Sequence, residues 1–188
     1  MFIETDLKRI KDISKKQEKQ NFRFRTFLKW EEEPSARELD DLVHRLHVEI
    51  SEQIDCTACG NCCREMLPLL APSDITRLTA GLKMTPDTFQ QKYLKPAEEP
   101  GLMIFNTAPC PFLADNKCSV YKLRPKDCRS YPHLHKKHFA SRLLNVIENC
   151  EVCPIVFNVY EQLKEELMPQ TDEQRQYDDL LNELDEEE

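Results

Sequence analysis

Glycine is almost missing from this sequence, with 3 residues in 188. The strand-to-helix loop that wraps a dinucleotide or an adenosylmethionine is built on closely spaced glycines, so a cofactor pocket of that kind is not expected. Long apolar runs are missing as well. Mean hydropathy is -0.62, and the charges scattered along the chain leave no stretch of the ~20 apolar residues that a membrane helix needs. The opening MFIETDLKRIKD has neither the apolar core nor the small-residue cleavage site of a secretory signal, so the cytoplasm is the expected compartment. No segment recurs at the periods of repeat proteins. At roughly 150 residues per domain, the length allows one sizeable core plus extensions.

Cysteine is what the chain has in abundance, at 9 residues. The number is odd, and the expected compartment keeps thiols reduced, so metal ligation is a stronger reading than a disulfide framework. The net charge of -8 is unevenly spread. Residues 1–30 carry nine basic and four acidic side chains, and residues 161–188 carry two basic and twelve acidic ones. Lys8, Arg9, Lys11, Lys15, Lys16 and Lys19 alternate with Leu7, Ile10 and Ile13 at helical spacing. That reads as the solvated face of an amphipathic helix, and nucleic-acid binding is not expected.

Beyond that helix, Phe22, Arg23, Phe24 and Arg25 alternate with a period of two, which predicts a short strand or an extended arm. Ser35 and Glu38 have capping-box spacing after Pro34, and Leu39, Leu42, Val43, Leu46, Ile50 and Ile54 follow at steps of three and four, which predicts a helix. Ser73 is placed to cap a short helix that Gly81 stops, and Thr85 with Pro86 opens another to about Leu94. Leu102, Ile104 and Phe105, with Cys118, Val120 and Tyr121 beyond an Ala114-Asp115-Asn116-Lys117 turn, suggest one small hairpin. A helical stretch over 136–149 and a last helix from Pro154 through Leu167 complete the pattern.

In order, the cysteines read Cys56-x-x-Cys59-x-x-Cys62-Cys63, Cys110-Pro111, Cys118, Cys128 and Cys150-x-x-Cys153-Pro154. An x-x separation lets two thiolates from one tight loop converge on one centre, with the intervening N–H groups aimed at the sulfurs. C-x-x-C-x-x-C with a remote Cys-Pro is also the spacing bacterial ferredoxins use for a four-iron four-sulfur cluster. The adjacent Cys62 and Cys63 diverge on most backbones, so one of them serves a second centre, bridges two metals, or is a buried thiol. Arg64, Arg124 and Arg129 flank cysteines and either neutralise thiolate charge or pair with surface carboxylates. His133, His135 and His138 read as a hydrated basic turn, and Asp127 and Glu65 as solvated or capping carboxylates, so no catalytic residue is named.

The strings CTACGNCCRE at 56–65, CPFL at 110–113 and CSVYKLRPKDCRSYP at 118–132, with the late Cys-Pro at 153, resemble the YkgJ-type cysteine-cluster family of CxxCxxCC zinc- or iron-chelating domains. The resemblance covers about 56–155. It implies metal binding and matches Cys56, Cys59, Cys62, Cys63, Cys110, Cys118, Cys128 and Cys153 to the family's cysteine pattern, with Cys150 as an addition. A flagellin lysine methylase shares this type of cluster in a much longer chain, and that implies a weaker, protein-modifying alternative.

The expected fold is therefore mainly α with a small β-hairpin, stabilised by metal. Residues 1–34 form a basic N-terminal extension, 35–170 the cysteine-cluster metal-binding domain, and 171–188 an acidic, disordered tail too poor in apolar residues to fold alone. The expected function is a cytosolic metal-binding protein holding a four-iron four-sulfur cluster for electron transfer or redox sensing. The alternative is a zinc-stabilised structural or interaction module with no redox chemistry.

Overall fold

The structure, a computed structural model, describes residues 2–31 and 33–168. In chain order its helices are α1 (Leu7–Lys16), α2 (Glu18–Trp30), α3 (Ala36–Ser51), α4 (Cys56–Cys59), α5 (Asn61–Glu65), α6 (Pro72–Leu82), α7 (Pro86–Tyr93), α8 (Lys126–Ser130), α9 (Leu143–Cys150) and α10 (Pro154–Leu167). The strands are β1 (Leu94–Pro96), β2 (Met103–Phe105), β3 (Leu113–Ala114) and β4 (Lys117–Cys118). Single 3₁₀ turns occur at Tyr121–Leu123 and Phe139–Arg142. The chain is thus mainly α with small antiparallel sheets, as the sequence predicts. It divides into two compact units, one from Met1–Ile54 with Leu134 onward and one from Asp55–His133. Residues 7–30, expected to belong to an extension, supply α1 and α2 of the first unit. The acidic tail expected over 171–188 lies outside the described residues.

Side-chain caps start α1 and α3 in the first unit. Asp6 accepts the N–H groups of Lys8 and Arg9, and Ser35 and Glu38 form the expected capping box. The apolar faces of this unit's helices bury Ile10, Phe24, Val43, Leu46, Ile50, Leu143 and Leu163. The core also holds polar groups, several of them matched by a partner, whereas the buried Ser14 Oγ has none among the described residues. Asn158 accepts from the Glu4 N–H at 2.9 Å and donates to the Glu4 carbonyl at 2.8 Å. The Tyr160 hydroxyl donates to the Asn21 carbonyl at 3.0 Å, and Lys164 Nζ reaches Asn21 Oδ1 at 2.9 Å. Buried amide and ammonium groups are tolerated only when satisfied in this way.

Two expectations for this unit need correction. The stretch 22–30 is helix, not strand or extended arm. Asn21, Phe24 and Leu28 are buried at steps of three and four, so Phe22 and Phe24 lie on different faces, the first 42% exposed and the second 0%. The helix expected over 136–149 starts later, because the Asp40 carboxylate accepts the His138 and Phe139 N–H groups, both at 2.8 Å, and holds a 3₁₀ turn ahead of α9.

The second unit packs α6, α7 and the sheets round Leu70, Ile75, Leu78, Phe89, Leu94, Phe105, Phe112 and Val120. Instead of one hairpin it has two. β2 pairs with β1 in the register Leu94↔Phe105, and the expected turn at Ala114–Lys117 joins β3 to β4 in the register Leu113↔Cys118. Asp115 and Asn116 both have positive φ, which suits the twist of a tight hairpin. Gly81 does not stop α6, which continues through Leu82. A Cβ on Gly81 would lie 2.2 Å from Leu123 Cδ1, so this glycine serves a close approach between α6 and the 3₁₀ turn at 121–123.

Asp74, 2% exposed, ties this unit together. Its carboxylate accepts the Ala71 N–H at 3.1 Å and the Lys126 N–H at 2.9 Å, and it pairs with Arg77. Arg77 in turn donates to the Arg124 carbonyl at 2.7 Å. One side chain therefore fixes the starts of both α6 and α8. Burial alone would raise its pKa, but the Arg77 hydrogen bond and the two N–H groups outweigh burial and hold the carboxyl below its ordinary value.

Replacing Asp74 by Ala leaves buried N–H groups unmatched and should lower stability by about 2–3 kcal/mol, read from denaturant midpoints of the metal-free protein. Because the folded-state pKa is depressed, the contribution of Asp74 is complete above the ordinary carboxylate pKa of about 4 and fades as pH falls through the folded value. The midpoint difference between wild type and Asp74→Ala should shrink over that range.

Candidate metal centre

The cysteine site begins at a helix start in the second unit. The Asp55 carboxylate accepts the Thr57 N–H at 2.9 Å and the Ala58 N–H at 3.3 Å, which starts α4 with Cys56 in its first turn. Gly60, at φ 61°, breaks the path between α4 and α5 and turns the chain so that Cys62 and Cys63 follow on a second short helix. A left-handed position favours glycine, and here space demands it too, since a Cβ would stand 3.0 Å from the Asn116 carbonyl oxygen. Asn116 also donates to the Ala58 carbonyl at 3.0 Å. The β3–β4 turn is thereby latched to the α4–α5 junction, and Cys118 on β4 comes with it.

Cys110 and Cys128 arrive by other links. The Cys110 N–H donates to the Cys63 carbonyl at 2.7 Å. Cys128 rides on α8, whose start Asp74 holds. The neighbouring Asp127 accepts the Leu69 N–H at 3.1 Å and lies 3.2 Å from His133 Nε2, while His133 Nδ1 is 3.1 Å from Ser130 Oγ. His133 is not the hydrated group that the sequence suggests, and Asp127, read there as solvated or capping, takes a backbone N–H from another segment. Together they brace the chain on either side of Cys128.

The result is a cavity of about 610 Å³ lined by Cys56, Cys62, Cys63, Cys110, Cys118 and Cys128. Phe105, Phe112 and Val120 form part of its wall, and Asn116, Lys117, Tyr121, Arg124, Arg129 and Tyr131 also line it. Arg124 is held over the Tyr121 ring at 3.4 Å and donates to the Tyr121 carbonyl at 2.9 Å. Cys59 ends α4, outside this lining, and its carbonyl accepts from Arg64 at 3.1 Å. Cys150 and Cys153 belong to the first unit, where both are buried. Among the described residues no disulfide forms, and all nine cysteines keep their thiols.

The sulfurs do not share one electrostatic environment. A hydrogen bond with Cys62 lowers the Cys63 thiol to about 6, with help from the Arg124 and Arg64 charges and against the effect of burial. Burial, together with the nearby Cys63 charge, pushes Cys110 up to about 11 and Cys128 up to about 12. Burial also raises Cys118. The N–H groups of Phe112 and Leu113 point at the Cys110 sulfur, and that of Val120 at the Cys118 sulfur, and these work in the opposite direction. The cost is one of electrostatic self-repulsion. A wall of crowded, mostly half-buried thiols cannot all ionise unless positive charge enters among them.

This donor chemistry suits a thiophilic metal centre, with soft sulfur ligands, N–H groups aimed at sulfur, and guanidinium groups close by. Among the described residues no three Cys, His, Asp or Glu side chains already surround one point where a single ion would sit. The thiols stand round the wall of the cavity. Sequence reasoning missed the Asn116 latch and the Asp127–His133 brace, because both depend on contacts across 58 and 6 positions that no local pattern marks.

In the reduced, metal-free protein, iodoacetamide should label Cys63 before Cys110 and Cys128 at pH 7, with half-maximal reactivity near pH 6, followed by peptide mass spectrometry. Arg124→Gln removes a stabilising charge and should shift that profile to higher pH. An unchanged profile would show that the guanidinium does not act on the Cys63 thiolate.

Comparison with known proteins agrees with the geometry. No curated protein and no solved structure matches the chain. A family model described as "CxxCxxCC: Putative zinc- or iron-chelating domain" matches residues 55–155, more than half of the chain and all nine cysteines. The chain belongs to the CxxCxxCC family of zinc- or iron-chelating domains, as its cysteine strings suggest.

Proposed function

We propose that this metal-binding chain holds a four-iron four-sulfur cluster in the cysteine cavity and works in the cytoplasm in electron transfer or redox sensing. The observation that carries this reading is the gathering of six thiols from separate stretches of the second unit round one cavity of about 610 Å³. Thiols spread along a wall suit a group of several metal atoms better than one ion. When bound, such a cluster supplies reversible one-electron chemistry.

The chain's own residues have definable parts in this reading. Cys56, Cys62, Cys63, Cys110, Cys118 and Cys128 are the candidate ligands on the cavity wall, and Cys59 and Cys153 are metal-ligand candidates on the family pattern alone. Arg124 and Arg64 offset thiolate charge. Phe105, Phe112 and Val120 keep water from one side of the site, which together with the N–H groups on Cys110 and Cys118 would set a reduction potential. The cytoplasm is supported by the reduced thiols it maintains. Among the described residues no helix is long and apolar enough to cross a membrane.

One observation favours a second reading. Six thiols exceed the four that a cubane cluster takes, and the excess suits a zinc-stabilised structural or interaction module in which thiolates hold more than one ion.

Anaerobically purified protein should be brown, with iron and acid-labile sulfide in equal amounts. A colourless protein with stoichiometric zinc would overturn the cluster and leave the zinc module. Under either metal, Cys110→Ser and Cys118→Ser should lower metal content while Cys150→Ser leaves it unchanged, by elemental analysis. Stripping the metal should lower the thermal midpoint, because metal binding adds to the folding free energy.

A further inference from the structure

We propose that the acidic stretch 171–188 of this same chain docks on the outer face of α2. The argument starts from the two faces of that helix. Asn21, Phe24 and Leu28 are buried on one side. Lys19, Phe22, Arg23 and Thr26, at steps of three and four, are exposed on the other. Phe22 is 42% exposed and Trp30, at the helix end, 81%. The outer face therefore carries two cations beside large aromatic surface, a composition that suits a partner both acidic and apolar.

A groove of about 630 Å³ runs along this face, lined by Glu18, Lys19, Phe22, Arg23, Thr26 and Met168. Met168 is the last of the residues that the structure describes, so the chain continues from the wall of the groove itself. Twenty residues follow it. That is ample to cover the 13 residues of α2, which at 1.5 Å per residue span only ~20 Å.

The sequence of the stretch complements the face. Residues 171–188 carry nine acidic side chains and one basic. Tyr177, Leu180, Leu181 and Leu184 recur at steps of three and four, the spacing that gives a helix one apolar stripe. Alone, this stretch has nothing to bury that stripe against. Against Phe22, with Lys19 and Arg23 beside it, the stripe gains cover and the carboxylates gain opposite charge. Exposed ion pairs contribute little each and are screened by salt, so the apolar contact provides hold and the charges provide register. The tether to Met168 makes the contact intramolecular and raises its effective concentration. The inference is independent of which metal the cysteines hold.

The test is hydrogen exchange of the full-length chain, read by mass spectrometry over 172–186. At low ionic strength the wild-type amides should exchange at least about tenfold more slowly than an unstructured chain. The pair Lys19→Glu and Arg23→Glu should abolish that protection, as should Asp178→Lys with Asp179→Lys, and combining the two pairs should restore it. If the α2 variant loses helical circular dichroism, Leu180→Ser with Leu181→Ser probes the same contact from the tail. Protection should be independent of protein concentration. Random-coil exchange in the wild type, protection indifferent to every substitution, or protection that grows with dimer formation would each overturn docking within one chain.

Discussion

The Asp74 carboxylate is the point on which the second unit depends. Buried, it can persist only because two backbone N–H groups and the Arg77 guanidinium satisfy it, and those donors belong to the starts of α6 and α8 and to the α6 face. Moving it would free the α8 start, and Cys128 with it. Arg77 extends the same linkage to the Arg124 carbonyl, so the cation beside the thiols is placed by the same network that places a thiol. Core packing round Phe89, Phe105 and Phe112 supplies bulk, but direction comes from this polar set.

The cysteine cavity shows why such a site calls for metal. Protein interiors tolerate thiols as small apolar groups, and Cys150 is a case of that kind, fully buried with its pKa raised mainly by burial. Cys63 differs. It is stabilised as a thiolate by Cys62, Arg124 and Arg64, and its charge helps to raise the pKa of Cys56, Cys110, Cys118 and Cys128. A second thiolate is opposed until a cation is added. The arrangement takes up metal by making the first ionisation easy and the later ones dependent on the ion.

How much of this the sequence carried depends on the range of the interactions involved. Ser35 with Glu38, Thr85 with Pro86 and the turn at Ala114–Lys117 act over a few residues and were legible as written. Local signals also misled where a longer period overrode them. The Phe-Arg-Phe-Arg alternation spans four residues, whereas the burial of Asn21, Phe24 and Leu28 spans eight and decides for helix. Gly81 has the composition of a helix stop but is there to admit Leu123, a contact invisible without the fold. The cysteine strings pointed to most of the stretches that line the cavity, because donor chemistry is written in residue type. The latch at Asn116 and the brace at Asp127 were not legible, since each joins segments that only folding brings together.

The division of the chain into a continuous and a discontinuous unit has a consequence for synthesis on the ribosome. The first unit needs residues from both Met1–Ile54 and Leu134 onward, whereas the second runs without interruption from Asp55 to His133. Translation at ~5–20 residues per second brings Cys128 out roughly 4–14 s after Cys56. For that interval Cys56, Cys59, Cys62 and Cys63 are outside the exit tunnel without the residues that will wall them in. The cysteine-bearing unit is then the first able to close, while α1, α2 and α3 wait for α10. A nascent chain of this family thus presents its first thiolates to the cell's metal and thiol pools before it has any interior in which to choose between them.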